Sequence, residues 1–440
     1  MNAIFKTAIL ALAMTAPSLA YALTVKTVPA PQGVEAWHSE EHTIPMIAVS
    51  ISLQGGTAYD PADKLGLASL TASLLDEGAG DLNSAAFKEA MEKRAIRIGF
   101  GAGRDYLTVT MTTLTENADE AFRLLGLALS QPRFEENDIE RMRAQMLAGL
   151  QQDEEDPSTI ASKAWSAAYF GDHPYGRPGD GTEASLNAIT ADDIKAFARA
   201  HLVRGGAKVA VAGDITEARL RTLLQQTFGP LPVGNVVAVP RPQTIAKLGT
   251  ETIALNVPQP AAIFGLPGPM RLTPDFIPTF VANYIFGGGG FASRLMEEVR
   301  EKRGLTYGIG TGQEDMRTAA IVRGSVESEK GTILTALEVT KAEMTRFANE
   351  GVTEKELADA KTYLTGSFPL GLDSNGKIAG ALGGYQRAGL APDYVFKRNA
   401  MIEAVTLAQV NAMAKKYYDV NKLTIVIAGT PAPAAAAPAR

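Results

Sequence analysis

The feature that most constrains this chain is an internal repeat near the end of each of its halves. Segments 189–214 and 405–430 align with each other without a gap, so that Thr190 matches Thr406 and Ala212 matches Ala428. In each copy a Thr precedes apolar residues at helical spacing, and a run rich in Val and Ile follows, which predicts a capped amphipathic helix and then a strand. The repeat therefore predicts two related halves that close with the same unit.

Strand-like alternation opens each half, and long amphipathic helices follow it. The predicted strands cover 47–53 and 261–266, and the predicted helices cover 115–130, 135–153, 329–349 and 353–366. Strand-rich openings followed by helix pairs are typical of α+β domains. We therefore predict two α+β halves, each a mainly antiparallel sheet covered on one face by helices.

The segment 1–22 has the pattern of a secretory signal. Lys6 precedes an apolar stretch over 8–16, and Ala-Tyr-Ala at 20–22 fits a cleavage site for a signal peptidase. The apolar stretch is too short to span about 30 Å of hydrocarbon, and no later segment reaches about 20 uninterrupted apolar residues. We therefore predict a cleavable signal peptide, a periplasmic location and no membrane span.

Composition and periodicity predict how the rest of the chain divides into two halves, a linker and a tail. We predict an N-terminal half over 23–228 and a C-terminal half over 261–430. Between them, 229–260 is rich in proline and has no helical periodicity, which indicates a linker that runs into a strand. The Ala/Pro-rich segment 431–440 carries no folding pattern and is predicted to be disordered.

Charge and cysteine content exclude several kinds of chemistry. The 42 basic and 48 acidic residues are interspersed and give a formal charge of −6, so no concentrated basic region is available for nucleic acid. The chain has no cysteine, which removes disulfides, thiol nucleophiles and thiolate metal sites. Any chemistry must use oxygen and nitrogen groups.

Residues His38 to His42 spell H-x-x-E-H, a zinc-binding pattern. The pattern binds zinc when it lies on a helix, because positions i and i+4 then share a face. Here Pro45 and β-branched residues follow the motif, so we predict that the segments on either side of it are extended and that 39–41 form a hairpin tip. We favour a coincidental match, and a self-sufficient metalloprotease that uses His38, Glu41 and His42 remains an alternative.

Several other segments resemble the pitrilysin/insulinase family of metallopeptidases. GGTAYD at 55–60, followed by GLASLTASLLDEG at 66–78, is similar to the family's active-site helix, in which G-L-A-H-x-x-E-H precedes a Gly. Further similar segments are HPYGRP at 173–178, VAGD at 211–214, FGGGGFASRL at 286–295 and VREKRGLTY at 299–307. The resemblance covers nearly all of 47–430 and agrees with the two-half repeat.

The departure from the family pattern is as informative as the match. By the resemblance, the helix near 66–77 is a degenerate zinc-site helix: Ser69 and Ser73 stand where the family has its zinc-binding His residues, and Ala72 stands where it has its general-base Glu. The third ligand, a Glu, falls near Ala148 or Gly149. Hydroxyl and methyl groups neither hold Zn²⁺ nor generate hydroxide at neutral pH. The resemblance therefore implies that this chain has no metal or other cofactor of its own.

Arg300 and Tyr307 match a second family element. In the family, such a pair comes from the C-terminal half, faces the zinc site and is similar to an oxyanion device that donates hydrogen bonds to the reacting carbonyl. Without the resemblance, Arg300 reads as a cation at a helix C-terminus and Tyr307 as a core aromatic. Here Gly304 is predicted to end the helix, and a strand is predicted to start at Leu305.

The family includes pairs of chains in which one carries the zinc motif and the other the Arg/Tyr pair, and this chain resembles the second kind. The resemblance therefore implies the non-zinc-binding subunit of a heterodimeric periplasmic metallopeptidase. A homologous partner would carry zinc and the base, and this chain would supply Arg300, Tyr307 and half of a clam-shell chamber around a peptide substrate. Alone, the chain is predicted to be inactive. A structural or peptide-binding subunit of a larger assembly is the other alternative, similar to the core subunits of some family members.

Overall fold

The computed structural model describes residues 23–242 and 247–431, which fold into two α+β halves. The predicted signal peptide and all but the first residue of the predicted tail lie outside the described residues. None of the described helices is both long and apolar enough to cross a membrane.

The N-terminal half is built on a six-stranded sheet. Its strands, with a separate two-stranded ribbon formed by β4 and β5, are β1 (Lys26–Val28), β2 (Val34–Glu40), β3 (Met46–Gln54), β4 (Gly78–Ala79), β5 (Leu82–Asn83), β6 (Arg97–Ala102), β7 (Tyr106–Leu114) and β8 (Ala207–Gly213). Its helices are α1 (Leu67–Ser73), α2 (Ser84–Glu92), α3 (Ala118–Ser130), α4 (Glu136–Asp153), α5 (Pro157–Phe170), α6 (Glu183–Ala188), α7 (Ala191–His201) and α8 (Glu217–Phe228). The order in the sheet is β1-β2-β8-β3-β7-β6, in which only β2 and β8 run parallel.

The C-terminal half repeats this arrangement with five strands. They are β9 (Gly249–Ile253), β10 (Ala261–Pro267), β11 (Gly308–Asp315), β12 (Ala320–Glu327) and β13 (Thr424–Ala428). The helices are α9 (Phe276–Asn283), α10 (Ile333–Glu350), α11 (Glu354–Gly366), α12 (Asn375–Arg387), α13 (Tyr394–Glu403) and α14 (Leu407–Tyr417), with π-helical turns at Tyr284–Gly288 and Met296–Glu301. The order β9-β13-β10-β12-β11, again with one parallel pair, reproduces β2-β8-β3-β7-β6.

The repeat in the sequence has the same local cause in both halves. Thr190 and Thr406 each accept a hydrogen bond from the backbone N–H three residues later, and the side chain of that residue accepts a bond from the Thr N–H. These capping boxes satisfy two free donors and start α7 and α14 at equivalent places. Each helix then leads into an interior strand of its sheet, β8 or β13.

The two halves exchange a helix. α5 of the N-terminal half lies on the C-terminal sheet, where Trp165, Tyr169 and Phe170 are buried against β10 and β13. α12 of the C-terminal half lies on the N-terminal sheet, where Leu382 packs with Trp37. Each sheet therefore has its own helices on one face and a single helix of the other half on the opposite face.

Two details of the predicted strands are wrong. Residues 39–41 are not a hairpin tip: Ser39 and Glu40 remain in β2, and β8 inserts between β2 and β3. β11 starts at Gly308 rather than Leu305, because the chain first turns at Gly304 in the left-handed region, with φ +60°.

Candidate functional site

The helix α1, which carries the degenerate zinc-site positions, is held at its start by a buried carboxylate. Asp60 accepts hydrogen bonds of 2.8 Å from the backbone N–H groups of Gly66 and Ala68. Burial raises the pKa of Asp60 to about 7. Gly66 has φ +89°, and a Cβ there would lie 2.9 Å from the carbonyl oxygen of Asp180, so this start needs glycine.

The three degenerate positions serve only the protein's own packing. Ser69 donates a hydrogen bond to the carbonyl of Gly179 at 3.1 Å, and Ser73 donates to the carbonyl of Leu70 at 2.9 Å. The methyl group of Ala72 is buried. Neither an imidazole nor a carboxylate is present at these positions, so α1 cannot hold zinc in the family manner.

The position of the family's third zinc ligand also has no side chain that could bind a metal. Ala148 and Gly149 are exposed on α4, which packs against α1. In place of a metal, the buried Glu77 just after α1 joins it to α2 and α4. It accepts hydrogen bonds from Lys88 at 2.7 Å and Arg141 at 2.6 Å.

Ser84 also donates to the Glu77 carboxylate, at 2.5 Å. Burial alone would raise the pKa of Glu77, but the hydrogen bonds from Arg141, Lys88 and Ser84 outweigh it and hold the pKa at about 2. Glu77 is therefore ionised at neutral pH and ties three helices together.

The H-x-x-E-H segment does not form a metal centre. His38 is buried in β2 with no hydrogen-bond partner for either ring nitrogen among the described residues, and burial lowers its pKa. His42 lies in the following loop, where its Nδ1 is 2.5 Å from Asp214 and its Nε2 is 3.1 Å from Glu40; these bonds raise its pKa. Across 23–242 and 247–431, no group of three or more His, Asp or Glu side chains is arranged to hold a metal ion.

Arg300 is presented by the π-helical turn at Met296–Glu301. Its guanidinium lies 4.5 Å from the centre of the Phe291 ring and donates to Glu301 at 2.8 Å. Gly304 ends this turn, because its N–H bonds back to the Arg300 carbonyl at 2.7 Å. The partly exposed guanidinium is thus held at the surface by an aromatic face, which favours a cation.

Tyr307 lines the same cavity as Arg300 and is not the core aromatic that its residue type alone suggests. Its side chain is 84% exposed, and its hydroxyl has no hydrogen-bond partner among the described residues. Arg300 and Tyr307 line one cavity of about 630 Å³, which is bounded by residues 259–332 of the C-terminal half. The structure therefore brings this predicted pair together, with donors that point to no internal acceptor except Glu301.

A second cavity, of about 820 Å³, lies between the halves and is lined by residues of both. The start of α5 with Asp156 lines one wall, and β11 with the glycine run 287–290 lines the other. The glycines allow close approach, since a Cβ at Gly287 would lie 2.5 Å from the Thr311 hydroxyl. Ser325 lines both cavities, whereas Ser69, Ala72 and Ser73 line neither.

Sequence reasoning missed two partners of Arg300. Phe291 follows the glycine run directly and is 69% exposed, and Glu301 is the next residue along the turn. Phe291 beside four glycines is visible in the sequence, but nothing there records that its ring is exposed or that it contacts Arg300.

Comparison with known proteins agrees with these features. The family model described as Insulinase (Peptidase family M16) matches residues 37–183, and the one described as Peptidase M16 inactive domain matches 188–364. The chain is 28% identical to the Non-peptidase homolog YmxG of Helicobacter pylori over 391 residues, which is 89% of this chain and 90% of that protein. It is 22% identical to the Uncharacterized zinc protease YmxG of Bacillus subtilis over 407 residues, or 90% and 96%.

Among solved structures, a peptidase M16 inactive domain from Pseudomonas fluorescens superposes with a TM-score of 0.89 at 29% identity. The match covers 93% of this chain and 99% of that one. Together, the matching models, the relatives and the shared two-half fold show that this chain belongs to the M16 (insulinase) peptidase family.

Proposed function

We propose that this chain is the non-zinc-binding subunit of a heterodimeric M16 metallopeptidase. The observation that carries the proposal is the contrast between its two site elements. Ser69 and Ser73 at the zinc-ligand positions bond to the chain's own backbone, whereas Tyr307 is exposed, Arg300 is partly exposed, and both line one cavity. An exposed donor pair without a local metal is useful to a reaction only if the metal comes from another chain.

The chemistry assigned to this chain is stabilisation of developing charge. A partner homologue with an intact zinc motif would supply zinc and the general base. Arg300 and Tyr307 would donate hydrogen bonds to the peptide carbonyl as it becomes tetrahedral. Phe291 and Glu301 would keep the guanidinium in place before the substrate arrives.

The heterodimer would enclose its substrate between two two-half subunits, a clam-shell that admits short unfolded peptides. Such an association needs a large interface. The pattern of a signal peptide at 1–22 supports a periplasmic location for the pair. The H. pylori relative described as a non-peptidase homologue supports the absence of activity in the isolated chain.

The experiment is to compare variants of this chain in the reconstituted pair. Arg300→Ala and Tyr307→Phe are each expected to lower turnover about 10²-fold while the zinc content of the pair is unchanged. The matched controls are Arg303→Ala, an exposed arginine paired with Glu298 on the same turn, and Tyr363→Phe, an exposed tyrosine on α11. Unchanged turnover in Arg300→Ala and Tyr307→Phe would refute the oxyanion role and leave a structural or peptide-binding subunit.

A further inference from the structure

A third cavity, of about 1070 Å³, lies where the two halves meet. It is formed by the turn between β6 and β7, the turn between β11 and β12, and the C-terminal end of α12. On the other sheet, α5 fills the space against the strands with Trp165 and Tyr169. Near the end of α12, Gly384 lines this cavity without a side chain, whereas Gly383 faces Ser50 on the sheet.

The wall of this cavity is rich in arginine. Five arginines line it, and in the described part of the chain none has a carboxylate oxygen within 4.0 Å of its guanidinium; they are Arg104, Arg241, Arg271, Arg317 and Arg387. We call this set the arginine cavity. Each of the five comes from a different segment of the chain.

The contacts of these arginines are to neutral groups. Arg387 donates to the Ser52 hydroxyl at 3.0 Å, and Arg317 donates to the Tyr59 hydroxyl at 3.4 Å. Burial lowers the pKa of Arg387, because no anion offsets the cost of removing its charge from water.

Two further arginines also contact neutral groups. Arg104 donates to the carbonyl of Tyr175 at 3.2 Å, and burial lowers its pKa. Arg271 stacks on the Phe276 ring at 4.2 Å and donates to the hydroxyl of Tyr394. Each guanidinium has donors left over after these contacts, since an arginine carries five N–H groups.

Three carboxylates also line the cavity, and two are committed elsewhere. Asp105 accepts from the Tyr175 hydroxyl at 2.6 Å and from the backbone N–H of Arg317 at 3.0 Å. Glu314 pairs with Arg323 at 3.4 Å. Asp315 is the remaining acid and faces Arg271, and burial raises its pKa. The cavity thus keeps an excess of positive charge in a chain whose formal charge is −6.

We propose that the arginine cavity binds acidic segments of peptides. Guanidinium groups match carboxylates in shape and charge, and their spread over several elements fits an extended chain with more than one acidic side chain. The volume slightly exceeds the usual range for small-molecule sites, and it is more than a single inorganic anion needs. Glu314 lines both this cavity and the cleft between the halves, so a peptide in the cleft can reach the arginines.

The inference deepens the proposed function, on which it rests, by naming a class of substrate. It is tested on the isolated full chain by fluorescence anisotropy, with labelled hexaglutamate and hexalysine peptides as probes. No partner, zinc or turnover is involved, so its failure is distinguishable from failure of the heterodimer. We expect hexaglutamate to bind, hexalysine not to bind, and the affinity for hexaglutamate to fall as the NaCl concentration rises.

The decisive variant is Arg317→Gln combined with Arg387→Gln. It is expected to weaken hexaglutamate binding at least about tenfold, the lower bound for losing hydrogen bonds between charged groups. The control is Arg221→Gln, which removes an exposed arginine paired with Glu217 on α8 and should change affinity less than twofold. Arg317→Gln alone guards against misfolding, since its side chain has only one internal hydrogen bond among the described residues, to Tyr59.

Three results would overturn the proposal. The first is equal binding of hexaglutamate and hexalysine. The second is unchanged affinity in the double variant. The third is displacement of hexaglutamate by free citrate at or below the peptide's own Kd, which would assign the cavity to a small anion. A requirement for a large excess of citrate would support the peptide.

Discussion

Truncating Trp165 tests whether the exchanged helices make the two halves one folding unit. Trp165 is fully buried on α5, stacks on Tyr169 at 4.6 Å between ring centres, and donates from its indole N–H to the carbonyl of Thr424 at 3.0 Å. Replacing a buried Trp with Ala costs about 3–5 kcal/mol of unfolding free energy. The lost hydrogen bond adds about 1 kcal/mol, because the Thr424 carbonyl is left inside without this donor.

The assay uses the only other tryptophan. The chain has two, and Trp37 lies under α12 on the opposite sheet, so in Trp165→Ala its fluorescence reports on the half that was not mutated. With a urea m-value of about 3 kcal/mol/M, a combined loss of about 4–6 kcal/mol lowers the midpoint by about 1.3–2 M. Because each half supplies a helix to the other, we expect the Trp37 signal to move by this amount as well.

Two control variants are compared with Trp165→Ala. Trp165→Phe keeps an aromatic ring and should cost less than the Ala variant, and Phe291→Ala removes an exposed ring and should leave the unfolding free energy within about 0.5 kcal/mol of the original. A Trp37 transition that keeps its original midpoint in Trp165→Ala, while far-UV circular dichroism reports a second, earlier transition, would refute the coupling of the halves.

Three further predictions concern the site. Glu77 has a folded pKa of about 2 against an ordinary 4.5, so its stabilisation is complete above pH 4.5 and is lost as the pH falls toward 2. Urea titrations at pH 5 and pH 2.5 should show that the unfolding free energy of Glu77→Gln falls by about 2–3 kcal/mol less between these two pH values than that of the original chain. The imidazole of His42 should titrate above the usual range for histidine in an NMR experiment and return toward it in Asp214→Asn, whose failure to shift it would contradict the pairing. Restoring the motif with Ser69→His, Ala72→Glu and Ser73→His should still give well below one zinc per chain by metal analysis, because Ala148 and Gly149 offer no third ligand. Adding Gly149→Glu should raise the zinc content.

The sequence predicted what local patterns determine. The caps at Thr190 and Thr406 and the apolar spacing behind them define α7 and α14, and the helices predicted over 135–153 and 353–366 are present as α4 and α11. These elements are specified by residues within one or two turns, so they are readable without the rest of the chain.

What the sequence did not predict depends on distant residues. The supposed hairpin tip at 39–41 fails because β8, which lies far along the chain at Ala207–Gly213, inserts beside β2. The exchange of α5 and α12 follows from packing of Trp165 on the C-terminal sheet and of Leu382 against Trp37 on the N-terminal sheet, which no local pattern records.

The functional residues also divide into those that the sequence predicted and those that only the structure shows. The roles of Ser69, Ala72, Ser73, Arg300 and Tyr307 came from resemblance to the family, and the structure adds that the last two share a cavity. The arginine cavity was invisible in the sequence, because its arginines are dispersed from 104 to 387 in a chain of net negative charge.

The central claim is that this chain completes a zinc site it does not contain. The most direct test is to measure zinc content and peptide cleavage for the purified chain alone and after mixing with a zinc-motif M16 homologue from the same organism. We predict no zinc and no cleavage for the chain alone, and cleavage by the mixture well above that of the homologue alone. One zinc per isolated chain with cleavage, lost in His38→Ala, would contradict the account and assign the activity to His38, Glu41 and His42.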